Sequence, residues 1–432
     1  MRQRGDAAYH LAQERTGTIV PTDILEAPSH VPGDRIVDFD LYDPPGLDEG
    51  FHGAWAGLMA SNDQDIVWTP RNGGHWIALR GRLMREIFAD YRRFSSRIVL
   101  VPKVSGEHYK MMPMTLDPPA HRSYRNLLNS SLSPKAVAAM EARIRRLAIT
   151  LIEAVRAQGQ CNFTTAYAEV LPIHIFLSMI DLPPEDAGPI RYLIDQINRP
   201  DGSMSFDQAI QGFYDYLAPI VDARKGKDGD DLLTRLINGT VDGRPVTREE
   251  ALELGSNILM GGLDTVTNFL GFVMRWLAEH PAERRRLAED RTLIPAAIEE
   301  FLRRFPIVIV AREVVDDIDY EGVHMRKGDM VVLGTPIHGL DPSENICPMD
   351  VRFERDAREF STFGNGNHRC AGAYLARTEL RITLEEWLAR IPEFSIDPAA
   401  DIKNRAGIVG SISALPLTWD VATTREVVLP MQ

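Results

Sequence analysis

The feature that most restricts the fold of this chain is a cysteine-containing loop at residues 363–372, with the sequence FGNGNHRCAG. Its three glycines allow a tight turn with backbone N–H groups directed inward, and Cys370 comes just before a predicted helix. A helix N-terminus lowers the pKa of a thiol and favours the thiolate. A thiolate surrounded by amide donors is suited to be an axial ligand of haem iron, where it donates electron density and favours O–O cleavage.

Two other interpretations of this loop fit the residues less well. A cysteine buried in a glycine-rich turn is the ordinary explanation for a cysteine taken at random, but the full pattern F-x-x-G-x-H-x-C-x-G is rare by chance. A dinucleotide-binding loop requires a glycine where this sequence has Arg369, and residues 358–362 make a poor buried strand before it. The pattern therefore favours a haem ligand.

The composition of the 432-residue chain excludes several other classes of protein. Asp and Glu outnumber Lys and Arg by 61 to 48, and the resulting net charge of −13 argues against a general nucleic-acid binder. The three cysteines, Cys161, Cys347 and Cys370, lack zinc-ligand spacing and indicate a reducing compartment. The most apolar stretch, 258–277, contains charged residues and so predicts a buried helix rather than a membrane span. With no signal-peptide pattern at the start, we expect a cytoplasmic protein that binds neither membrane nor nucleic acid.

Apolar residues at helical spacing predict a mainly α protein with a minor β portion. Residues 1–35 are predicted to be a flexible N-terminal arm, and 36–432 a single large domain, because no repeat or low-complexity linker divides them. The predicted helices are 136–157, 247–280, 293–304 and 374–391, and the predicted β segments are 307–313, 318–323 and 330–333, with a hairpin turn at 322–328.

With this loop and this helical pattern, the chain resembles the cytochromes P-450, which are haem-thiolate monooxygenases. The likeness runs from about Gly73 to Val427 and is strongest to the bacterial members that hydroxylate camphor. It implies the cytochrome P-450 fold, with haem b (iron protoporphyrin IX) buried between a long central helix and the cysteine loop. In that arrangement Cys370 is the iron ligand, and Phe363 and Gly372 lie beside the haem.

The family's E-x-x-R motif occurs at Glu300 and Arg303, three residues apart on one helical face, so the two side chains can pair. The same spacing occurs at Glu283 and Arg286, where a solvated helix face is the ordinary interpretation. The first copy is preferred because it precedes a helix stop and the strand that contains Arg312. The resemblance gives this pair a structural role near the haem loop.

A Gly-Gly-Leu-Asp-Thr sequence at residues 261–265 lies inside the predicted apolar helix. Two adjacent glycines weaken a helix by about 1 kcal/mol each, and a buried aspartate is costly without partners. From the residues alone, a kinked helix with a capped threonine is as good an interpretation as a catalytic site. The resemblance assigns the segment to oxygen activation: Thr265 holds the bound oxygen by a hydrogen bond, and Asp264 relays protons from solvent.

Four cationic residues are implied as haem contacts. His121 and Arg125 are four residues apart on a helix predicted to begin at Asp117-Pro118-Pro119. In bacterial members of the family this pair, with Arg312 and His368, contacts the haem propionates, because two buried carboxylates require such donors. Each of the four could alternatively be a surface cation.

The resemblance also implies a substrate pocket. Tyr109 falls where the camphor-hydroxylating members bind a ketone, and one phenol O–H in an apolar pocket would orient a single carbonyl. A core tyrosine bonded to backbone is the alternative from the residues alone. The other implied pocket residues are Leu100, Met111, Met114, Asn257, Met260, Val308 and Val409.

Several positions depart from these relatives. Leu100, Met114, Asn257 and Met260 stand where they have Phe, Thr, Leu and Val, so the pocket would hold camphor differently or take another terpenoid ketone. Arg97 replaces an acidic residue near a potassium ion, which argues against that ion here. Val310 replaces an aspartate near a propionate.

The implied activity is O2-dependent hydroxylation of an unactivated C–H bond in a small terpenoid ketone, most simply 5-exo hydroxylation of camphor. A norisoprenoid such as ionone is the alternative substrate.

The sequence has no evident flavin, nicotinamide or iron–sulfur motif, so electrons would come from a [2Fe–2S] ferredoxin and its NADH-dependent reductase. Arg122, Arg125 and Arg369 could form its docking patch. Two alternatives from other classes are a haem-binding sensor, which would not need Asp264 and Thr265, and a colourless, cofactor-free ligand-binding protein.

Overall fold

The computed structural model describes residues 24–107 and 110–427, and helices dominate it, as the sequence predicts. The α-helices are α1 (Phe51–Ala60), α2 (Gly81–Ala89), α3 (Lys103–Glu107), α4 (Ala120–Asn129), α5 (Pro134–Arg156), α6 (Leu171–Met179), α7 (Ala187–Asn198), α8 (Phe206–Arg224), α9 (Leu232–Ile237), α10 (Arg248–Leu263), α11 (Thr265–Glu279), α12 (Pro281–Glu289), α13 (Ile294–Arg304), α14 (Thr335–Leu340) and α15 (Ala373–Arg390).

The strands are short and form a minor part of the fold. They are β1 (Ile66–Thr69), β2 (His75–Ala78), β3 (Phe94–Ser95), β4 (Gln160–Asn162), β5 (Thr240–Val241), β6 (Arg244–Pro245), β7 (Ile309–Val314), β8 (Ile318–Tyr320), β9 (Val323–Met325), β10 (Met330–Gly334), β11 (Ser395–Ile396), β12 (Asn404–Arg405), β13 (Ser411–Ile412) and β14 (Pro416–Thr418). The mainly α class with a minor β portion is therefore confirmed.

The largest sheet has five strands in the order β1-β2-β10-β7-β3. β10 runs parallel to β2, with Val331 opposite Trp76, and the other neighbouring strands are antiparallel. All residues of β1, β2 and β10 are buried, which means that this part of the sheet is covered on both faces. Two-sided burial is the usual condition of parallel pairing.

Helices α10 and α11 run through the interior and place the site. α10 packs against α6, α7, α8 and α9, while α11 packs against α12, β13 and a π-helical turn at Thr164–Ala168. Residues 267–274 of α11 are buried without interruption. A helix that is apolar and enclosed on all sides is a central element of its domain.

Helix α15 follows the cysteine loop and is fixed by α5. Arg145 of α5 binds Glu385 of α15 at 2.6 Å, and Arg390, which is fully buried, binds Glu153 at 3.0 Å. These partly buried ion pairs hold the helix on which the loop ends.

The predicted hairpin turn at 322–328 is wrong. β8 and β9 pair with Tyr320 opposite Val323, so the turn is formed by Glu321 and Gly322, both with positive φ (52° and 77°). Two consecutive left-handed residues match the right-handed twist of the strands that they join. Residues 323–325, predicted to lie in the turn, are strand β9.

Residues 24–35 belong to the predicted N-terminal arm, yet they contact the sheet. The Leu25 N–H donates to the Pro70 carbonyl at 3.0 Å, and His30 Nε2 lies 3.0 Å from Asp329 Oδ2. The chain is therefore anchored from residue 25 onward. Among the helices of the described residues, none combines the length and apolar character needed to cross a membrane.

Candidate active site

The predicted helix 247–280 is interrupted at Asp264, which separates α10 from α11. The Asp264 backbone has φ −122° and ψ −37°, outside regular helical values. Thr265 Oγ1 donates to the Gly261 carbonyl at 3.2 Å, and Asn268 Nδ2 donates to the Asp264 carbonyl at 2.8 Å. A single continuous helix is therefore wrong, and side chains satisfy carbonyls at the break.

The two adjacent glycines serve different purposes. A Cβ on Gly262 would lie 2.3 Å from Cδ2 of Phe176, so this glycine allows α6 to pack closely against α10. A Cβ on Gly261 would meet nothing within 4 Å, and this residue is exposed. Gly261 thus borders an open space, whereas Gly262 is a packing requirement.

The open space follows one face of α10. Asn257, Met260 and Thr265 are partly exposed, while Ile258 and Leu263 between them are buried. Residues four apart in a helix lie on the same face, so Asn257, Gly261 and Thr265 form one stripe along it. The stripe, which ends on the first residue of α11, therefore borders the same open space as Gly261.

Asp264 itself is turned away from solvent and held by four donors. The side chain is 1% exposed. Arg199 Nη2 lies 2.7 Å from Oδ1 and Nη1 lies 3.0 Å from Oδ2; Asn198 Nδ2 donates to Oδ2 at 2.9 Å and Asn268 Nδ2 to Oδ1 at 2.7 Å. Burial acts to raise the pKa of Asp264, but the Arg199 charge and these hydrogen bonds lower it below its ordinary value. Asp264 is therefore a buried carboxylate.

Arg199 links Asp264 to two other parts of the site. Its guanidinium also binds Asp195, with Nε at 3.1 Å from Oδ1, and donates from Nη1 to the Val409 carbonyl at 3.0 Å. Sequence reasoning gave Arg199 no role. The only signal was the unexplained burial cost of Asp264.

The four predicted propionate contacts form one cluster. The His121 and His368 rings lie 4.2 Å apart between centroids, and the Arg312 guanidinium stacks 5.1 Å over Phe88. Burial, with Arg312 and His121 as the next causes, lowers the pKa of His368 to about 2. Burial lowers the pKa of Arg312 to about 10. The cluster thus concentrates positive charge in a place from which water is largely excluded.

This cluster fits the carboxylates of the haem predicted from the sequence. Nε2 of His121 and Nε2 of His368 are buried without a hydrogen-bond partner. Among the residues that the structure describes, neither Arg125 nor Arg312 forms an ion pair with a carboxylate. Buried donors and cations of this kind require anionic partners. Two propionates would supply them.

The cysteine loop closes on itself through its backbone. The Cys370 N–H donates to the Phe363 carbonyl at 2.8 Å, and the Gly364 N–H donates to the Ser361 carbonyl at 2.8 Å. Gly364 and Gly366 both have φ +65°, and a Cβ on Gly366 would lie 2.8 Å from the Phe88 carbonyl oxygen of α2. The loop therefore needs glycine both for its conformation and for its contact with α2.

The Cys370 thiol has an environment that the sequence predicted only in part. The residue is exposed and lies at the N-terminus of α15, and the amides of Gly372 and Ala373 act to lower the pKa of the thiol, as does Arg125. Although the residue has exposed surface, the protein packed around its sulfur has the larger effect and raises the pKa of the thiol above its usual value. The predicted lowering is therefore wrong for the metal-free thiol, while a coordinating metal would itself remove the proton.

Gly372 lies beside the sulfur, and the Phe363 carbonyl accepts the N–H of Cys370. The Arg377 guanidinium lies 4.6 Å over the Phe363 ring, and the nearest atom to a Cβ on Gly372 would be Cys370 Sγ at 3.8 Å. Arg125 donates from Nη2 to the Arg369 carbonyl, which ties the cation cluster to the residue before the cysteine.

Glu300 and Arg303 pair as predicted and are fully buried. Arg303 Nη2 lies 2.9 Å from Glu300 Oε1, and Arg303 also donates to the Gly339 carbonyl at 2.7 Å. Glu300 additionally binds Arg355 Nε at 3.0 Å and lies 3.4 Å from Arg358 Nε. One carboxylate thus joins three guanidinium groups between α13 and the segment before the cysteine loop.

Replacing Glu300 with alanine is expected to destabilise the fold by about 3–5 kcal/mol, because it leaves buried arginines without a carboxylate. Urea unfolding followed by circular dichroism measures the loss. Glu283→Ala, at the second E-x-x-R copy, is the control: no ion pair of Glu283 occurs in the described residues, and its change should stay within about 0.5 kcal/mol. Equal losses in the two variants would contradict the prediction.

Six of the pocket residues predicted from the resemblance fall into two groups. Leu100 and Met111 are buried in one apolar cluster, against which Met114 and Met260 pack. Val308 and Val409 are opposite each other in an isolated antiparallel bridge, and Arg199 brings Val409 beside Asp264. Asn257 lies on the open stripe of α10, and Tyr109 lies outside the described residues.

Arg97, which stands where the relatives have an acidic residue, shares Glu313 with Lys103. Glu313 accepts from Arg97 Nε at 2.8 Å and lies 3.0 Å from Lys103 Nζ. Lys103 also donates to the Gly328 carbonyl at 2.7 Å. Val310 is partly buried next to Arg312 on β7.

Comparisons with known proteins agree with this geometry. The family model described as cytochrome P450 matches residues 203–408. The probable cytochrome P450 127A1 of Sinorhizobium fredii (strain NBRC 101917 / NGR234) is 32% identical over 402 residues, covering 91% of this chain and 96% of that protein. The crystal structure of CYP101J2 superposes with a TM-score of 0.84 at 46% identity, covering 92% of this chain and 100% of that one. The crystal structure of cytochrome P450 CYP101C1 gives 0.83 at 41% identity, covering 91% and 100%.

Proposed function

We propose that this chain, which belongs to the cytochrome P450 family of haem b monooxygenases, hydroxylates an unactivated C–H bond of a small terpenoid ketone. Camphor, hydroxylated at the 5-exo position, is the first candidate substrate. The observation that carries this proposal is the partly exposed stripe of Asn257, Gly261 and Thr265, which lies beside Met260, a residue that packs against the apolar cluster containing Met111. The alternative substrate is a norisoprenoid such as ionone.

The chain's residues divide the work of holding the cofactor. Cys370 would supply the sulfur ligand of the haem iron, and Phe363 and Gly372 would shape the loop around that sulfur. The propionates would be held by His121, Arg125, Arg312 and His368. When bound, the haem supplies oxygen activation and C–H oxidation, and a thiolate ligand favours O–O cleavage. The rest of the chemistry is positioning and proton transfer by the protein.

Asp264 and Thr265 are proposed to deliver protons into the cavity. Thr265 Oγ1 is fixed by the Gly261 carbonyl at 3.2 Å and is partly exposed, so its oxygen remains a proton acceptor on the cavity side. The Asp264 carboxylate lies in the adjacent residue but faces Arg199. A proton reaching Thr265 Oγ1 through Asp264 requires the Asp264–Arg199 pair to open, which couples delivery to movement of α7 against α10.

The predicted pocket suits a compact apolar molecule with few polar groups. Leu100, Met111 and Met260 offer apolar contact, and methionine adapts to irregular shapes. Asn257 adds one polar group on the same stripe as Thr265. Tyr109 is proposed to bind the substrate carbonyl.

Titration with camphor, read from the spin-state change of the haem spectrum, tests the substrate. Tyr109→Phe is expected to weaken camphor binding about tenfold and to broaden the product pattern, because the carbonyl loses its donor. Met114→Leu, which keeps the pocket wall apolar, is the matched control and should change affinity by less than about threefold. An unchanged affinity in Tyr109→Phe would remove this residue from the binding role. A response to ionone without one to camphor would replace the substrate but keep the chemistry.

Electrons are proposed to come from a [2Fe–2S] ferredoxin and its NADH-dependent reductase. Arg122 and Arg369 are exposed beside the cation cluster, whereas Arg125 is only partly exposed and is bonded to the loop, so it is better placed for the propionates. Cations around a redox centre speed the encounter with an acidic partner.

Arg122→Glu is expected to raise the ferredoxin concentration needed for half-maximal turnover by about tenfold at low salt and to leave substrate titration unchanged. Steady-state NADH oxidation at several ferredoxin concentrations measures this effect. Arg143→Glu, which reverses an exposed charge on α5, is the control: it tests whether the change in ferredoxin requirement depends on where the charge lies. The same response in both variants, or none in Arg122→Glu, would rule out this docking patch.

A further inference from the structure

Behind the cysteine loop lies a buried chain of hydrogen bonds that the reaction above does not use. His338 of α14 and Ser361 are each 1% exposed. Nδ1 of His338 lies 2.6 Å from Ser361 Oγ, and Nε2 lies 2.7 Å from Glu344 Oε2. Asn365, inside the cysteine loop, donates from Nδ2 to Ser361 Oγ. The chain therefore runs from the loop to a carboxylate.

One arrangement of the protons lets every group in this chain donate to the next. Because Ser361 Oγ accepts from Asn365, its own hydrogen is free to donate to His338 Nδ1, which leaves the ring proton on Nε2 to donate to Glu344. Each group donates to the next, from Asn365 to the carboxylate. A chain with a single direction that ends on a charge strengthens its members cooperatively.

The carboxylate end is anchored by Arg85 of α2. Arg85 Nη1 lies 2.6 Å and Nη2 2.8 Å from the two Glu344 oxygens, and Nη1 lies 3.4 Å from Glu359. Arg85 Nη1 and His338 Nε2 lie 2.8 Å apart because both nitrogens contact the same oxygen, Glu344 Oε2. The guanidinium already supplies the positive charge among these groups, so His338, Glu344 and Glu359 do not form a metal site.

The backbone around the chain is built to accommodate it. A Cβ on Gly81 would lie 2.4 Å from His338 Cδ2 and 2.8 Å from Glu344 Oε2, so only glycine lets α2 approach the ring this closely. The Ser361 carbonyl accepts the Gly364 N–H, which begins the tight loop. Ser361 thus links the ring of His338 to the loop through both its side chain and its main chain.

We propose that His338 is a positioning residue for the cysteine ligand: through Ser361 and Asn365 it holds the loop that carries Cys370 in its closed shape. This role rests on the proposed function, in which Cys370 binds the haem iron. His338 touches neither substrate nor cofactor in this scheme. It acts by preventing the loop from relaxing, which would let the sulfur leave the metal or take up a proton.

Two substitutions of His338 separate its two nitrogens. His338→Gln places an amide near the position of Nε2, which retains contact with Glu344 and loses Ser361. His338→Asn places an oxygen near the position of Nδ1, which retains an acceptor for Ser361. Ser361→Ala removes the link from the other side and guards against a folding defect at residue 338. His324→Gln, at an exposed histidine bonded to Asp319, is the matched control.

The measurements are the rate at which the reduced, carbon-monoxide-treated protein loses its strongly red-shifted Soret band on mild heating, and deuterium exchange of the amides of residues 361–370. His338→Gln and Ser361→Ala should each accelerate both by about fivefold to tenfold, as expected for one buried hydrogen bond. The double variant should be no faster than either single variant. His338→Asn and His324→Gln should remain within about twofold of the original protein.

A wild-type rate in His338→Gln, or equal acceleration by the Gln and Asn variants, would overturn the positioning role while leaving the haem ligand in place. If the unmodified protein shows no red-shifted band, the proposed ligand is wrong and the positioning role falls with it. The two failures are distinguished by the spectrum of the unmodified protein alone.

Discussion

Replacing Cys370 with serine is expected to remove the strongly red-shifted Soret band of the reduced, carbon-monoxide-treated protein and to reduce monooxygenase turnover by at least about 10³-fold, the scale of losing a group on which the whole reaction depends. A serine hydroxyl is a hard, protonated oxygen and cannot replace a thiolate at iron. The loop should still close, because the bond to the Phe363 carbonyl comes from the backbone N–H of residue 370. Haem content, the carbon-monoxide spectrum and product formation measure the three effects separately.

Cys347→Ser is the matched control for this substitution. Cys347 is also an exposed free cysteine, but it lies before the loop in a segment near Arg352, away from the cation cluster. Its serine variant should keep the spectrum and the turnover of the original protein. A red-shifted band that survives in Cys370→Ser, or disappears in Cys347→Ser, would contradict the assignment of the ligand.

The parts of the site that sequence reasoning placed correctly are those fixed by short-range geometry. Glu300 and Arg303 pair because residues three apart in a helix share a face, and this needs no knowledge of the rest of the fold. The backbone closure of the cysteine loop likewise depends on glycines at 364 and 366. Motifs within one turn or one loop can be recognised from spacing alone.

The partners of these motifs could not be found in the same way. Arg199 binds Asp264 across 65 residues of sequence, and this contact depends on how α7 packs against α10. The pKa of Cys370 was misjudged for a related reason: the helix N-terminus is visible in the sequence, whereas the surrounding protein that outweighs it is not. Both the Arg199–Asp264 contact and the pKa of Cys370 depend on residues that are distant in sequence and pack together only in the fold.

The two errors in secondary structure have local causes that compete with propensity. Helix 247–280 breaks at Asp264 because Thr265 and Asn268 side chains bond the carbonyls there, a competition that favours bends. The hairpin turn was misplaced because glycines stand at both 322 and 328, and both positions adopt a positive φ. Only the pairing of β8 with β9 shows that Gly322 makes the turn.

Replacing Asp264 with asparagine is expected to lower product formation by about 10²-fold or more, the usual contribution of a positioned proton donor. Asparagine keeps the size of the side chain, but its amide nitrogen cannot accept, so the donors that reach one of the two Asp264 oxygens lose their acceptor. It also cannot take up and release a proton. Arg199 retains Asp195, so the fold should survive with a modest loss of stability. Substrate titration should be unchanged, because Asp264 is 1% exposed and has no free edge on the cavity.

The solvent isotope effect on turnover shows whether Asp264 transfers protons or only forms an ion pair that holds Arg199 in place. If Asp264 delivers protons, Asp264→Asn should increase the solvent isotope effect on turnover, because the slow step becomes proton arrival. Asp195→Asn is the matched control: it removes the other carboxylate on Arg199 without touching Thr265 or the cavity, and it should change turnover by less than about threefold. Equal losses in the two variants would make Asp264 a structural partner of Arg199. A haem sensor without catalysis requires neither residue, so a protein whose function survives both Asp264→Asn and Thr265→Ala would be that sensor and not a monooxygenase.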